Sequence, residues 1–112
     1  MLLPNGDRAY VDRIKILDYL LSLSHPDGRS KAEFFMRFGF KVEEWRLLAD
    51  ALCEVGNSNP VINAVESPYG VRYTVDGLMK TPDRRTPKVR TIWFMDRGNS
   101  APRLITAYPK VG

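Results

Sequence analysis

Hydrophobic positions recur with helical spacing in the first half of the chain. Ile14, Leu17, Leu20 and Leu21 fall on one side of a helix, and this pattern predicts an amphipathic helix. The segment 24–28 contains proline, aspartate and glycine, which are typical of a turn that breaks a helix. We therefore expect a first helix that ends at this turn.

Two more helices are predicted before the middle of the chain. Ser30 followed by Glu33 has the spacing of a capping box, which predicts a second helix that begins at Ser30. This helix carries phenylalanines on one side and is expected to end at Gly39. The segment 43–52 predicts a third helix, with acidic residues at its start, where they suit the helix dipole. Gly56 is expected to end it.

Apolar and polar positions alternate in the second half, which is the pattern of half-buried strands. The alternation is clearest over residues 71–76. Residues 89–95 are dense in β-forming side chains and predict a central strand that is buried on both faces for much of its length. Shorter runs at 61–65 and 104–108 predict two further strands.

Helices followed by strands favour one fold class. The order predicts an α+β fold, with about three N-terminal helices followed by a roughly four-stranded antiparallel sheet. The length of 112 residues is typical of a single domain, residues 1–112. No apolar run is long enough to span a membrane, and the N-terminus does not have the pattern of a signal peptide. We therefore expect a cytoplasmic protein, with an exported toxin tip as an alternative that fits the sequence equally well. The sequence leaves the oligomeric state open.

The positive charge is concentrated in the second half. The net charge is +4, and the basic residues are densest between Lys80 and Arg90, where only Asp83 opposes them. Such a cluster attracts polyanions such as nucleic acid. The alternative is a solvated loop whose charges only keep the protein soluble.

Several kinds of site are disfavoured by the residue types present. The chain has one histidine and one cysteine, Cys53, so neither an internal disulfide nor a cysteine-based metal cluster is expected. No glycine-rich phosphate loop and no HExxH motif occurs. We expect no metal and no cofactor. A nucleophilic pair of Cys53 and His25 is disfavoured because Cys53 lies in an apolar segment.

His25 and Lys31 are the residues that best suit a chemical role. In metal-free RNA cleavage, side chains move the protons and a cation stabilises the charge on the phosphate. His25 suits proton transfer, and Lys31 suits the cationic role. Each residue has a structural alternative, since a histidine before proline is often a turn residue and a lysine is often a solvated helix residue.

Other polar residues of the strands are candidates for binding RNA. Arg72 and Arg90 suit contacts with phosphate, and Thr91, Thr106 and Tyr108 suit hydrogen bonds to phosphate or base. The threonines are equally compatible with a purely structural role, because threonine favours strands.

Several segments resemble a bacterial domain family of unknown function that occurs as small stand-alone proteins, often beside a small partner gene. The resemblance covers nearly the whole chain and is carried by these segments: His25–Gly28, Ser30–Ala32, Phe34–Phe35, Gly39–Phe40, Ser67–Gly70 with Tyr73, Arg90–Thr91 with Trp93, and Pro102–Pro109. Related domains resemble the C-terminal tips of contact-dependent polymorphic toxins.

The resemblance implies a function and a partner. Those toxin tips are similar to the barnase–EndoU–colicin–RelE group of metal-independent RNases, whose fold is helices followed by an antiparallel sheet. His25, Lys31 and Thr106 match the toxin tips best. The chain departs from the family pattern at Arg84–Arg85, where a glycine is expected in the turn.

The sequence thus favours a small metal-independent ribonuclease toxin of a toxin–antitoxin or effector–immunity pair. Its expected catalytic residues are His25, Lys31, Thr91 and Thr106. Its expected partners are RNA and a small cognate antitoxin or immunity protein, and the residues expected to bind RNA are Arg72, Lys80, Arg84, Arg85, Lys88, Arg90, Arg103 and Tyr108. Two alternatives stay open: a non-catalytic RNA- or protein-binding module, and a structural domain without a site.

Overall fold

The computed structural model describes residues 1–111, which form three helices followed by four strands. The helices are α1, with an α-helical turn Arg13–Lys15 that continues as a π-helical turn Ile16–Leu20, α2 (Arg29–Arg37) and α3 (Trp45–Ser58). Short 3-10 turns cover Gly6–Arg8 and Val42–Glu44. The strands are β1 (Val61–Ser67), β2 (Gly70–Leu78), β3 (Lys88–Asp96) and β4 (Arg103–Pro109). The sheet is antiparallel with strand order β1-β2-β3-β4, so the predicted α+β fold is confirmed.

The helices cover one face of the sheet and leave the other open. Val75, Val89 and Trp93 of the covered face are fully buried, together with Phe35 and Leu52 from the helices. No helix within residues 1–111 is long and apolar enough to cross a membrane. The open face, which we define as the face away from the helices, carries the charged side chains of Arg72, Asp76, Arg90 and Arg103.

Residues of the open face form three rows that cross the strands. The register aligns Asn63, Thr74, Ile92 and Thr106, and we call this set the middle row. On one side of it lies a row of Arg72, Phe94 and Arg103, and on the other a row of Asp76, Arg90 and Tyr108. A bulge in β4 at Ile105 shifts the register between β3 and β4.

The second helix ends as predicted but begins differently. Gly39 adopts a φ of 100°, and the amides of Gly39 and Phe40 donate to the carbonyls of Met36 and Phe35. This is a Schellman motif, and the contact between the rings of Phe35 and Phe40 completes it. The expected capping box is wrong, because α2 begins one residue before Ser30 and no side chain caps it.

Three other sequence expectations are wrong in detail. Ile14 belongs to the helical pattern of α1 but is 71% exposed. Gly56 does not end α3, which continues through it to Ser58. Trp93 packs against the backbone of Gly56, so glycine is needed there for lack of space. The strand β3 is central but is buried on the covered face only, since Arg90, Ile92 and Phe94 point to the open face.

Gly56 gives a first testable prediction about the core. A Cβ atom there would lie 2.6 Å from Cζ2 of Trp93, so Gly56→Ala is expected to lower the stability by roughly 1 to 3 kcal/mol through overpacking. Helix propensity alone predicts the opposite, a gain of about 1 kcal/mol. Urea denaturation followed by tryptophan fluorescence measures the change. Ser58→Ala, at an exposed position of the same helix, is the control. A stabilised Gly56→Ala variant would contradict this packing.

Candidate functional site

The ring of Tyr19 brings together side chains from four parts of the chain. The ring centroid of His25 lies 5.0 Å from that of Tyr19, and the Tyr19 hydroxyl forms a 2.9 Å hydrogen bond with Oγ1 of Thr106. The Nζ atoms of Lys15 and Lys31 lie 5.2 and 5.3 Å from the Tyr19 ring centroid. We call these five residues the Tyr19 cluster. Three of its members, His25, Lys31 and Thr106, are among the four residues that the sequence indicated as catalytic.

Tyr19 lies in the π-helical turn of α1. There the amide of Leu21 donates to the carbonyl of Ile16, five residues earlier, with a distance of 2.8 Å. Single π turns inside helices occur frequently at functional sites. Gly28 packs directly against the carbonyl of Tyr19, where a Cβ atom would clash. This contact holds the turn that carries His25 against the turn that carries Tyr19.

His25 is held in one orientation by the backbone of its own turn. Its Nδ1 accepts hydrogen bonds from the amides of Asp27 and Gly28, each 3.0 Å long. An imidazole whose Nδ1 accepts carries its proton on Nε2 when neutral, so His25 presents an N–H donor. Of the two roles that proton transfer allows, acid or base, this geometry favours the donor, because the ring is set to donate a hydrogen bond from Nε2.

Lys31 lies in the first turn of α2, where the sequence indicated it. Its Nζ donates to the carbonyl of Asp27, 3.1 Å away, so the lysine also braces the turn that holds His25. The same Nζ faces the Tyr19 ring, as does that of Lys15 from α1. Two ammonium groups thus lie near one aromatic ring, an arrangement that favours an anionic ligand beside it.

The Tyr19 cluster borders an open groove between α1 and β4. The groove has a volume of about 1230 Å³ and contains two carboxylates as well as the cations. Its lining consists of Asp12, Arg13, Ile14, Lys15, Asp18, Tyr19, His25, Arg103, Ile105 and Thr106. Exposed Ile14 lies here, so its departure from the core pattern coincides with the groove.

Thr91 does not belong to this site, which corrects the sequence expectation. Thr91 lies on the covered face of the sheet and is fully buried. Its hydroxyl donates to the carbonyl of Val75 at 2.8 Å and accepts from Nε1 of Trp93 at 2.7 Å. Thr91 therefore satisfies the indole N–H inside the core and cannot reach a ligand on the open face.

A second, smaller groove continues from the first across the open face. It has a volume of about 390 Å³ and shares Ile105 and Thr106 with the larger groove. Its other lining residues are Arg72, Thr74, Arg90, Ile92 and Tyr108. Three of the residues that the sequence assigned to RNA binding, Arg72, Arg90 and Tyr108, therefore lie together here.

Two of the open-face arginines are held by carboxylates. Arg90 donates two hydrogen bonds to Asp76, of 2.8 and 3.0 Å, and these bonds lower the pKa of Asp76 below its ordinary value. Arg103 pairs with Asp96 in the same way, at 2.8 and 3.2 Å, and also lies over the ring of Phe94. Both guanidinium groups are fixed in place, and part of their charge is neutralised.

The basic run between β2 and β3 does not form one surface with this site. Lys80 pairs with Glu54 of α3, and Arg85 pairs with Asp83 and lies over Phe38 of the α2 terminus. Both residues thus contact the helical side of the protein, away from the arginines of the open face. Lys88 begins β3 and is exposed.

Arg84 lies in the turn at Arg84–Arg85, where the sequence resemblance led us to expect a glycine. Its φ is 71°, in the left-handed region that glycine adopts without strain. An arginine thus adopts a backbone conformation in this turn that favours glycine. Its side chain is exposed in the loop before β3.

Cys53 has no role in this site. Its thiol donates to the carbonyl of Ala9, and burial raises its pKa to about 11. A thiol of this kind is a poor nucleophile at neutral pH. Within residues 1–111, no three side chains of histidine, cysteine, aspartate or glutamate come together as a possible metal site.

The sequence interpretation missed Tyr19 and Lys15, which complete the site. The helical pattern does not distinguish Tyr19 from the other residues of α1, because a π turn leaves no recognisable signal in the sequence. Lys15 and Tyr19 are four residues apart, a spacing that brings two side chains together on a helix. That spacing was the available sign that α1 presents a cation beside an aromatic ring.

The chain matches a known protein family by sequence and a known structure by fold. The profile of a protein family described as a domain of unknown function (DUF6883) matches residues 2–111. A search of curated proteins by sequence gave no match. One chain of a structure described as a contact-dependent growth inhibition toxin–immunity protein complex from Klebsiella pneumoniae 342 has the same fold. The TM-score is 0.74 at 20% identity, with 96% of this chain and 97% of that chain covered.

The two threonines on opposite faces of the sheet give a matched pair of variants. Thr91→Val leaves the buried indole N–H of Trp93 without an acceptor, so we expect a loss of roughly 1 to 3 kcal/mol in the free energy of unfolding. Thr106→Val is expected to cost at most about 1 kcal/mol, because the groove lets water reach the Tyr19 hydroxyl. Chemical denaturation measures both, and equal losses would contradict the assignment of the two faces.

The ion pair of Asp76 and Arg90 predicts a stability difference that depends on pH. Because the folded-state pKa of Asp76 lies below its ordinary value of 3.8, the pair stabilises the fold above that pH and the contribution is lost as the pH falls through the folded-state pKa. We expect Asp76→Asn to cost roughly 1 to 3 kcal/mol at pH 7.

This difference between wild type and variant should shrink as the pH falls below about 4. Thermal unfolding followed by circular dichroism from pH 7 to pH 2 measures it. Asp50→Asn, at an exposed carboxylate on α3, is the control and should show a small difference at every pH. A constant deficit of Asp76→Asn over the whole range would contradict the role of the charge.

Proposed function

Because the chain belongs to the DUF6883 family of domains of unknown function, whose profile covers nearly all of it, we propose a function from its own groove and fold. The proposal is a small metal-independent endoribonuclease that is the toxic member of a toxin–antitoxin or effector–immunity pair. Two features support it: the Tyr19 cluster, and a fold shared with a chain of a toxin–immunity protein complex.

The convergence of His25, Lys31 and Thr106 is the observation that carries the proposal. His25 and Lys31 come from neighbouring segments and Thr106 from the last strand, and all three meet around Tyr19. His25 and Thr106 also line the larger groove. The groove combines cations, a fixed N–H donor and carboxylates, which are the groups that cleavage of a phosphodiester requires.

The proposed reaction is attack of a ribose 2′-oxygen on the adjacent phosphorus. This attack forms a 2′,3′-cyclic phosphate, breaks the bond between phosphorus and the 5′-oxygen, and releases a 5′-hydroxyl. One group accepts the proton of the 2′-hydroxyl, and another gives a proton to the leaving 5′-oxygen. Negative charge grows on the non-bridging oxygens in between and must be stabilised.

The groove residues divide these tasks. Lys15 and Lys31 stabilise the charge on the phosphate, and His25 donates a hydrogen bond to it from Nε2. Asp12 or Asp18 accepts the proton of the 2′-hydroxyl, and a lysine ammonium supplies the proton for the leaving oxygen. The hydroxyls of Tyr19 and Thr106 position the scissile phosphate. They form a hydrogen bond with each other.

A non-catalytic binding module remains the second candidate, for one specific reason. Four of the eight residues that the sequence assigned to RNA binding, Lys80, Arg85, Arg90 and Arg103, are paired with carboxylates. This reduces the positive potential available to RNA, and it suits a mixed-charge surface that binds a protein. In that case the chain is the antitoxin or immunity member, or an adaptor, and its expression alone does not arrest growth.

The sharpest test of the ribonuclease proposal replaces His25 without disturbing its turn. In His25→Asn, the amide oxygen can accept from the amides of Asp27 and Gly28, while the Nε2 donor is lost. We expect the variant to stay folded and its rate of RNA cleavage to fall by a factor of roughly 100 or more. The measurement is cleavage of total RNA with EDTA present, with analysis of the products for 2′,3′-cyclic phosphate ends.

Lys41→Ala, at an exposed lysine between α2 and α3, is the matched control and should cleave like wild type. Equal cleavage by wild type and His25→Asn would exclude a role for the Nε2 donor. If wild-type protein leaves RNA intact and its expression is harmless, the ribonuclease proposal is wrong.

A further inference from the structure

The middle row is a neutral strip between two rows that carry guanidinium groups. It consists of Asn63, Thr74, Ile92 and Thr106, none of which is charged. Arg72 and Arg103 lie on one side of it and Arg90 on the other. Neighbouring strands are separated by about 4.8 Å, so the row extends roughly 14 Å from Thr106 to Asn63.

The middle row begins at the Tyr19 cluster. Thr106 is hydrogen-bonded to the Tyr19 hydroxyl and lines both grooves. The larger groove therefore meets the smaller one at this residue. The bulge at Ile105 places two consecutive side chains of β4 at this passage. A chain bound at the cluster can therefore continue over β3 as far as Thr74 of β2 without leaving a groove.

Arg72 differs from the other arginines of the open face. Arg90 and Arg103 are each bound by a carboxylate, whereas no ion pair within residues 1–111 includes Arg72. Arg72 is exposed and lines the smaller groove. Its guanidinium is thus available to an anionic ligand, while the paired arginines mainly fix the shape of the groove walls.

The sides of the strip also suit unpaired bases. Ile92 in its centre and Tyr108 beside it are half-buried and line the smaller groove, so both offer apolar surface to the open face. Single-stranded nucleic acids are bound by such a combination of stacking surfaces and cations along a groove. Duplex RNA is instead recognised by shape over about 16 base pairs, which this short strip does not match.

We propose that the middle row is the path of single-stranded RNA across the sheet, with Arg72 as the phosphate contact away from the cleavage site. This inference rests on the proposed ribonuclease function for the identity of the ligand. It assigns the substrate class, an unpaired strand, and a direction, from the Tyr19 cluster at β4 towards β1.

The test uses a fluorescein-labelled RNA hexamer in which every 2′-hydroxyl is methylated, so that binding is measured without cleavage. Fluorescence anisotropy should show that Arg72→Glu weakens binding at least 10-fold and reduces its salt dependence. Arg97→Glu is the matched control, since Arg97 is an exposed arginine in the turn after β3, beyond the rows. It should bind within about twofold of wild type. Circular dichroism confirms that both variants are folded.

Three results would overturn the proposed path: no binding of the hexamer by wild type, equal weakening by Arg72→Glu and Arg97→Glu, or equally tight binding of a methylated 12-base-pair duplex. The outcome separates the path from the catalytic proposal. Hexamer binding that depends on Arg72, without cleavage of RNA by wild type, supports the path and refutes the ribonuclease. Cleavage of RNA together with unchanged binding by Arg72→Glu supports the ribonuclease and refutes the path.

Discussion

The close contact between Gly28 and the carbonyl of Tyr19 is the constraint on which the site depends. Because no side chain fits between them, the turn after α1 lies directly against the π turn of that helix. This proximity brings the rings of His25 and Tyr19 into edge-to-face contact. It also places Nζ of Lys31, at the start of α2, beside the Tyr19 ring. The groove is therefore built by local packing at one end of the helical layer, and the sheet contributes Thr106 to complete it.

The sequence predicted the fold class because hydrophobic spacing reports directly which side of an element is buried. It predicted His25, Lys31 and Thr106 together through the family resemblance and residue chemistry. It did not predict Tyr19, because whether a helix contains a π turn depends on tertiary packing and not on periodicity. The sequence also misassigned Thr91, because threonine occurs on both faces of strands. Only the hydrogen bond with Trp93, visible in the structure, shows that Thr91 lies on the covered face.

Charge was the feature that the sequence described least well. A run of basic residues indicates a positive patch only if its members reach one surface without partners. Here Arg85 turns back to the end of α2, and Lys80 reaches Glu54 on α3. The formal charge of the segment is unchanged, but its positive potential is divided between two sides of the protein and partly neutralised. Pairing of this kind joins residues far apart in sequence, so it becomes visible only in the folded chain.

The π turn of α1 has a consequence for how such a site arises. A π turn contains one residue more than an α-helical turn over the same rise, and each residue of an α-helix adds a rotation of about 100°. A chain with one residue fewer at this point would form an unbroken α-helix, with the residues before it turned by that angle relative to Tyr19. Ile14 and Lys15, which line the groove, would then be turned by that angle relative to the core residue Leu20. The extra residue of the π turn thus sets the direction in which α1 presents its groove residues relative to the core.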